Sequence, residues 1–285
     1  MKLSNKLLIA FAASLILIPV LGMVIVSATM YKTGTYKDVA YKIESFSTPT
    51  KNMESLAVSS AFESVKIDAK GMELNVQFVK DEKFGVKIQN DLKGIVTATV
   101  DATGQLQIGI KDKPKSEENR HRYYVNIYVY SPTIKSLNVS NAMGLNISAA
   151  NDTLTLDIKN STGISLGSET HIKLLNIKAE NVSAVNFRND DVKSINLELI
   201  NSNLTSETNS FENVSIITNG KCEIEFSGDR DDARKQTINN LILITNGIAD
   251  VKLENIKVAN CSGKLSDETQ VQMPAINLNQ MYNKK

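Results

Sequence analysis

The sequence predicts an all-β fold, a single-stranded β-helix or solenoid with repeats of about 20 residues, preceded by one N-terminal transmembrane helix. Three observations carry that expectation. Apolar and polar residues alternate in short runs from Phe62 onward, Asn recurs at nearly even spacing through the second half, and an uncharged apolar stretch lies near the start. Period-two runs bounded by turn residues mean half-buried strands, and a fixed period of roughly 20–50 residues means stacked copies of one unit.

The N-terminal stretch comes first. Lys2 and Lys6 precede an apolar segment from Leu7 to Ala28, and Lys32 and Lys37 follow it. At about 1.5 Å per residue a helix over 7–28 is about 33 Å long, enough to cross a bilayer core. Val26-Ser27-Ala28 offers small residues to a signal peptidase, but a cleavable apolar region is usually about 7–15 residues long. Residues 1–30 are therefore expected to be a membrane anchor, or a signal if cleaved. No Cys closes the stretch, which excludes a lipoprotein anchor. The expected arrangement has a short cytoplasmic tail and an exported C-terminal part. Residues 31–61 lack any sustained period and read as a juxtamembrane spacer.

The β domain is expected over 62–265. Val65-Ile67-Ala69, Met72-Leu74-Val76-Phe78, Val86–Ile88, Val96–Val100, Leu106–Ile110 and Val125–Val129 supply its first strands, expected to add three or four turns to the stack. The repeat proper aligns on Asn141, Asn160, Asn181, Asn201, Asn219, Asn246 and Asn260, whose numbers differ by 19, 21, 20, 18, 27 and 14 in turn. Apolar runs precede and follow most of these, as in Leu154-Leu156-Ile158 before Asn160 and Ile164-Leu166 after it. Each unit reads as strand, Asn corner, strand, turn. Asn suits a corner because it tolerates left-handed backbone and bonds to its own neighbours, and stacked copies can bond to each other. The chain holds 29 Asn, far more than turns alone require. The longest interval contains Gly228–Lys235, a charged insertion read as a solvated loop. Residues 266–285 lose the repeat and read as a cap or tail over the last strand edge.

Composition narrows function by exclusion. With 32 basic and 31 acidic residues, nothing in the charge argues for nucleic acid. Two His and two Cys rule out zinc-ribbon and paired-histidine haem proteins, and no metal or cofactor is expected. His121 and His171 sit in polar turns, no glycine-rich phosphate loop occurs, and no catalytic residue stands out. Cys222 and Cys261 fall about two repeats apart, near 10 Å at about 4.8 Å per repeat, beyond the span of about 7 Å that a disulfide tolerates. In Tyr124–Tyr130, with Val125, Ile127 and Val129 facing the core, Tyr124, Tyr128 and Tyr130 are expected to face outward. Such a row can stack on sugars or anchor a protein.

The segment YYVNIYVYSPTIKSLNVSNAMGLNISA, with the entry run FESVKIDAKGMELNVQF, resembles the head GIN domain of the putative auto-transporter adhesin family, exported proteins frequent in Bacteroidetes. The resemblance covers about residues 62–265 and implies a single-chain β-solenoid in the cell envelope, with no functional residues to carry over. The combined expectation is a non-catalytic adhesin-like or scaffold module of a bacterial envelope. It would be held at the inner membrane with its domain in the periplasm, or released to the surface if the signal is cut. Its partner would be a glycan or an envelope protein. The alternatives are a carbohydrate-active β-helix enzyme and an accessory envelope sensor.

Overall fold

The computed structural model describes residues 3–30, 44–111, 124–188, 190–231 and 236–282. The chain divides into two compact units, Met1–Glu44 and Ser45–Lys285. In the first lies the helix α1 (Leu3–Met30), with Pro19 inside it. Its Leu3–Val24 part is long and apolar enough to cross a membrane, a property that anchors and signal sequences share.

Strands dominate the second unit. Its first part contains β1 (Met53–Ala57), β2 (Ser64–Asp68), β3 (Glu73–Lys80), β4 (Gly85–Gln89), β5 (Val96–Val100), β6 (Gln105–Ile110) and β7 (Tyr124–Ser131). The middle holds β8 (Ser136–Ser140), β9 (Gly144–Ser148), β10 (Ala150–Leu166), β11 (His171–Arg188), β12 (Asp191–Ile200) and β13 (Leu204–Glu207). The last part holds β14 (Phe211–Asn219), β15 (Cys222–Ser227), β16 (Thr237–Asn246), β17 (Ala249–Glu254), β18 (Lys257–Lys264), β19 (Thr269–Gln272) and the helix α2 (Ala275–Tyr282). All these strands join one large mixed sheet.

From β8 onward the pairing is parallel and in register. One column of partners runs Leu137, Leu156, Ile177, Leu197, Ile216, Leu243, each step one repeat along the chain. A second runs Leu145, Ile164, Val185, Leu204, Ile224, Val251, Val271. Each of these side chains but Val271, which is partly buried, sits in the core. Each column is a continuous row of inward apolar side chains, and burying it gains roughly 25 cal/mol per Å² of apolar surface removed from water.

The first third departs from the expected extra turns of one stack. There β2 and β3 pair in parallel with β8 and β9 on one side and with β6 and β7 on the other. Next, β4 and β5 run antiparallel to β7 and β6, and β1 runs antiparallel to β4. The chain thus begins at the outer edge with β1, goes in to β2 and β3, out again to β4 and β5, and returns through β6 and β7 to β8. The expected spacer is also shorter than 31–61. Residues 31–43 lie outside the described residues, while β1 belongs to the sheet. The turn before β1 is pinned by Lys87, whose buried Nζ donates to Ser45 O (3.0 Å), Thr48 O (2.7 Å) and Thr50 Oγ1 (3.0 Å).

The corners explain the Asn spacing, with two corrections. Asn141, Asn160, Asn181 and Asn201 have φ of 57°, 49°, 54° and 47°, the left-handed region. At the next two layers the register carries this position to Gly220 and Gly247 (φ 78° and 105°), leaving Asn219 and Asn246 one position before the bend. Those two still bond to each other, Asn246 Nδ2 to Asn219 Oδ1 at 3.3 Å, as Asn181 Nδ2 does to Asn160 Oδ1 at 3.2 Å. Asn260 is not at a corner. It lies inside β18 beside Asn240, in a separate row in which Asn260 bonds Asn240 (3.1 Å) and Asn240 bonds Asn213 (3.0 Å). The even spacing resumes because Ala249 pairs with Thr269, one repeat on, so the last layer continues to Gln272 rather than stopping at Leu265.

Beyond Gln272, α2 closes the edge of β18. Gln280 donates Nε2–H to Ala259 O (2.9 Å) and accepts Cys261 N–H on Oε1 (2.9 Å), as a neighbouring strand's peptide would. Asn277 donates to Val258 O at 3.1 Å, and Met281 is buried against the core.

These contacts set expected outcomes for the Ser45–Lys285 unit. Asn181→Ala puts an alanine Cβ in left-handed backbone and removes the bond to Asn160, so urea unfolding should show a loss of about 1–3 kcal/mol. Asn181→Gly should recover part of this by relieving the backbone cost alone. Gln280→Ala frees two backbone groups on β18, so sedimentation should show concentration-dependent self-association that the parent lacks. Asp190, half-buried after β11, has its carboxyl pushed up to about 6 by desolvation, against a bond from the Arg188 N–H. The folded state then binds more protons than the unfolded chain between about pH 4 and 6, so this group's contribution to stability falls as pH rises through that window. Asp190→Asn should gain about 1 kcal/mol at about pH 7.5, allowing for solvent screening, and nothing at about pH 3.5.

Candidate ligand-binding face

The outer face of the second strand column carries a groove. There β7, β3, β9, the end of β10 and the end of β11 lie side by side. The register aligns Tyr124, Glu73, Gly144 and Gly163 in one row. Two positions along, on the same face, it aligns Asn126, Asn75, Asn146, Ser165 and Asn186. Alternation in a strand puts both rows outward while Leu74, Val125, Leu145 and Ile164 point into the core.

Between the rows lies a groove of about 530 Å³ lined by both. Its floor exists because Gly144 and Gly163 contribute no side chain. Space above Gly163 is open, with nothing within 4 Å of where a Cβ would stand, and a Cβ on Gly144 would meet only the Glu73 side chain, at 3.5 Å. Tyr124 is 59 % exposed and forms one wall. Across from it the amides are tied to each other: Asn75 Nδ2 donates to Asn126 Oδ1 (3.0 Å) and Asn146 Nδ2 to Ser165 Oγ (3.1 Å). A carboxamide has two donors and an acceptor with two lone pairs, so one such bond fixes its orientation and leaves capacity for a ligand. Among the described residues, Glu73 is the one charged side chain in the lining. An exposed ring, a row of oriented amides and little charge suit a neutral polyhydroxylated ligand.

The expected tyrosine row is broken, and Tyr130 is a correction. It is 2 % exposed, beneath Phe46 at a ring-centroid distance of 5.4 Å, with Lys87 Nζ 5.1 Å from its ring centre. Tyr128 is half-buried, opposite Lys87 of β4 and Gln77 of β3. The alternation assigned the face correctly, but β4 and the turn before β1 fold over its far end. Of the three tyrosines, Tyr124 alone reaches the groove. The amide and glycine rows escaped the sequence reading, although Asn at outward positions within strands was visible.

Other chemistry-bearing residues stay apart from this groove. His171 Nδ1 lies 2.7 Å from Asp191 Oδ2 on an exposed edge, and His121 is outside the described residues. In the charged insertion, Asp229 accepts the Asp231 N–H at 3.0 Å, and Asp232 and Arg234 are outside the described residues. Among the described residues no cluster of three or more His, Cys, Asp or Glu could hold a metal. Cys222 and Cys261 are free, buried thiols, and burial raises the pKa of Cys261 further, away from nucleophile chemistry.

No protein-family model and no curated protein matches the chain. Among solved structures it is similar to a "putative adhesin" of Bacteroides fragilis, at 14 % identity and a TM-score of 0.47, over 79 % of this chain and 99 % of that one. A "putative adhesin" of Parabacteroides distasonis gives 16 % identity and a TM-score of 0.46, over 78 % and 92 %. A "putative lipid binding protein" of the same species gives 14 % and 0.42, over 78 % and 96 %.

Proposed function

We propose that the chain is an envelope-tethered β-solenoid that acts as a non-catalytic, adhesin-like binding module, taking a neutral glycan along the Tyr124 groove. The observation that carries this reading is the juxtaposition of the exposed Tyr124 ring, the bare floor at Gly144 and Gly163, and the row of oriented amides. A pyranose offers an apolar C–H face to an aromatic ring and hydroxyls at its rim to amides. The groove provides both on adjacent strands about 4.8 Å apart. The solenoid part of the reading rests on the parallel, in-register pairing from β8 onward. The tether rests on α1, whose length and composition fit a bilayer. A domain held outside the inner membrane, facing the periplasm, would present this groove to envelope polysaccharide.

Glycan-array binding by the full chain in detergent is the direct test. Tyr124→Ala should weaken binding to any positive glycan at least tenfold, while Tyr130→Phe, whose ring lies beneath Phe46, should leave it unchanged. Gly163→Val fills the floor at a position with open space, so binding should vanish with the thermal midpoint intact. A glycan that binds Gly163→Val and Tyr124→Ala as well as the parent would remove this groove from the function.

A further inference from the structure

A second concavity lies at the turn edge of the same layers, where β3 ends, β7 passes to β8, and β10, β11 and β12 begin. It is larger than the Tyr124 groove, about 680 Å³, and its character is opposite. Four lysines line it, Lys80, Lys135, Lys173 and Lys193, against two acids, Asp152 and Asp191. Lys135 is drawn to Glu63 outside the lining (2.5 Å), and Lys173 pairs with Asp152 at 2.7 Å. His171 takes up Asp191. Lys80 and Lys193 have no ion pair among the described residues.

Strand register sets two of these lysines side by side. Ile172 pairs with Val192 and Leu174 with Ser194, so Lys173 and Lys193 occupy the same position on adjacent strands, about 4.8 Å apart along the stack. Like charges directly opposite each other across strands are destabilising. The same register sets Asp152 beside Lys173 and Glu212 beside Lys193, so an acid flanks the pair on each side, and elsewhere it joins opposite charges directly, as in Lys178–Glu198 (2.9 Å) and Lys159–Glu180 (3.1 Å). Asp152 is taken up by Lys173, and its pKa is lowered first by Lys173 and also by the charge of Lys80, while Lys193 makes no ion pair among the described residues. Lys80 and Lys193 are thus left without an ion-pair partner among the described residues, beside the Lys173–Asp152 pair, within a concave site.

We propose that this cavity binds an oxyanion of the phosphate class, held by Lys80, Lys173 and Lys193, at a site separate from the Tyr124 groove. The anion pairs Lys80 and Lys193, which no carboxylate takes up among the described residues, and the concavity provides room for the group that carries it. Free phosphate esters and anionic lipid headgroups present the same chemistry.

Two arms test it with the full chain. In detergent, calorimetric titration with inorganic phosphate should show saturable binding, weakened at least tenfold in Lys80→Gln/Lys193→Gln and unchanged in Lys221→Gln, which is remote from the cavity. In vesicles of phosphatidylcholine with and without phosphatidylglycerol, hydrogen exchange of 150–153 and 171–173 should slow on the anionic vesicles if the source is a headgroup. Both lysines are exposed and make no ion pair among the described residues, so the variant should unfold at the same temperature as the parent, which separates loss of binding from loss of fold. Phosphate binding or vesicle protection that the double variant loses supports the site. Absence of both, or either one persisting undiminished in the variant, overturns it.

Discussion

The left-handed corner is the constraint on which the parallel, in-register part of the sheet depends. A strand's faces alternate with period two, so each bend must return the chain with its apolar residues on the inner side. Asn160, Asn181 and Asn201 do this with an L-residue at φ near 50°, the flanking inward residues three apart, as in Ile158 and Ser161. Gly220 and Gly247 do it without a Cβ and with one residue more, the inward residues four apart at Thr218 and Cys222 and at Thr245 and Ala249, and the second column stays in register through both kinds of bend. The two solutions differ in what they add. Asn181 reaches back to the amide of Asn160, whereas the glycine corners leave that task to Asn219 and Asn246, one position earlier. Insertions are then confined to the turn edge, as between Gly228 and Gln236, where the step lengthens while the pairing of Ile216 with Leu243 is kept.

Alternation and spacing were legible because both are local properties of the chain. What decides the first third is not local. β2 pairs with β8 and β6, both far along the chain, because an inner layer is laid down before the outer ones. No repeat can reveal an order in which neighbours in space are not neighbours in sequence. The Asn260 error has a related cause. Asn is used in this protein in three settings, at bends, beside bends and in ladders inside strands, and spacing alone cannot separate them. Asn240 and Asn260 stack because parallel register puts equal side chains on top of each other, a condition met anywhere in a strand. The site was legible to the extent that Tyr124 stood in an outward position. The covering of Tyr130 depended on Phe46, which lies far upstream in a segment without periodicity.

An open sheet exposes backbone at both edges, and the two are covered by different means. At the start, antiparallel β4 and β5 reverse the direction of pairing, and the turn from Ser45 to Thr50 is bound by one buried ammonium. Lys87 has three oxygen acceptors and an aromatic face, which together replace the water it gives up. At the other end α2 uses side-chain amides in place of a strand. Gln280 bonds to the carbonyl of Ala259 and the N–H of Cys261, two groups a further layer would otherwise take. This cap covers β18 and leaves β19, a strand of only four residues, at the edge. A short edge is itself a weak template for another chain.

In-register stacking also sets where recognition can occur. Along most of the stack it multiplies whatever side chain occupies a position, so amides satisfy amides and, at Lys178–Glu198 or Lys252–Glu225, charges satisfy charges. Such rows are flat and largely self-satisfied, and offer a ligand little. A groove or an unmatched charge arises where a row is interrupted. Glycine interrupts one beside Tyr124, and lysine following lysine interrupts the other at Lys173 and Lys193. Both interruptions fall on β10–β12 and the layers next to them, where the out-and-back path of the first third meets the regular repeat. There the chain ends of β3 and β7 stand beside the first regular turns, so side chains from distant parts of the sequence adjoin a regular row. Concavity follows from that mismatch of a regular and an irregular layer, and it places two surfaces of opposite character, one nearly neutral and one basic, on the same short stretch of the fold.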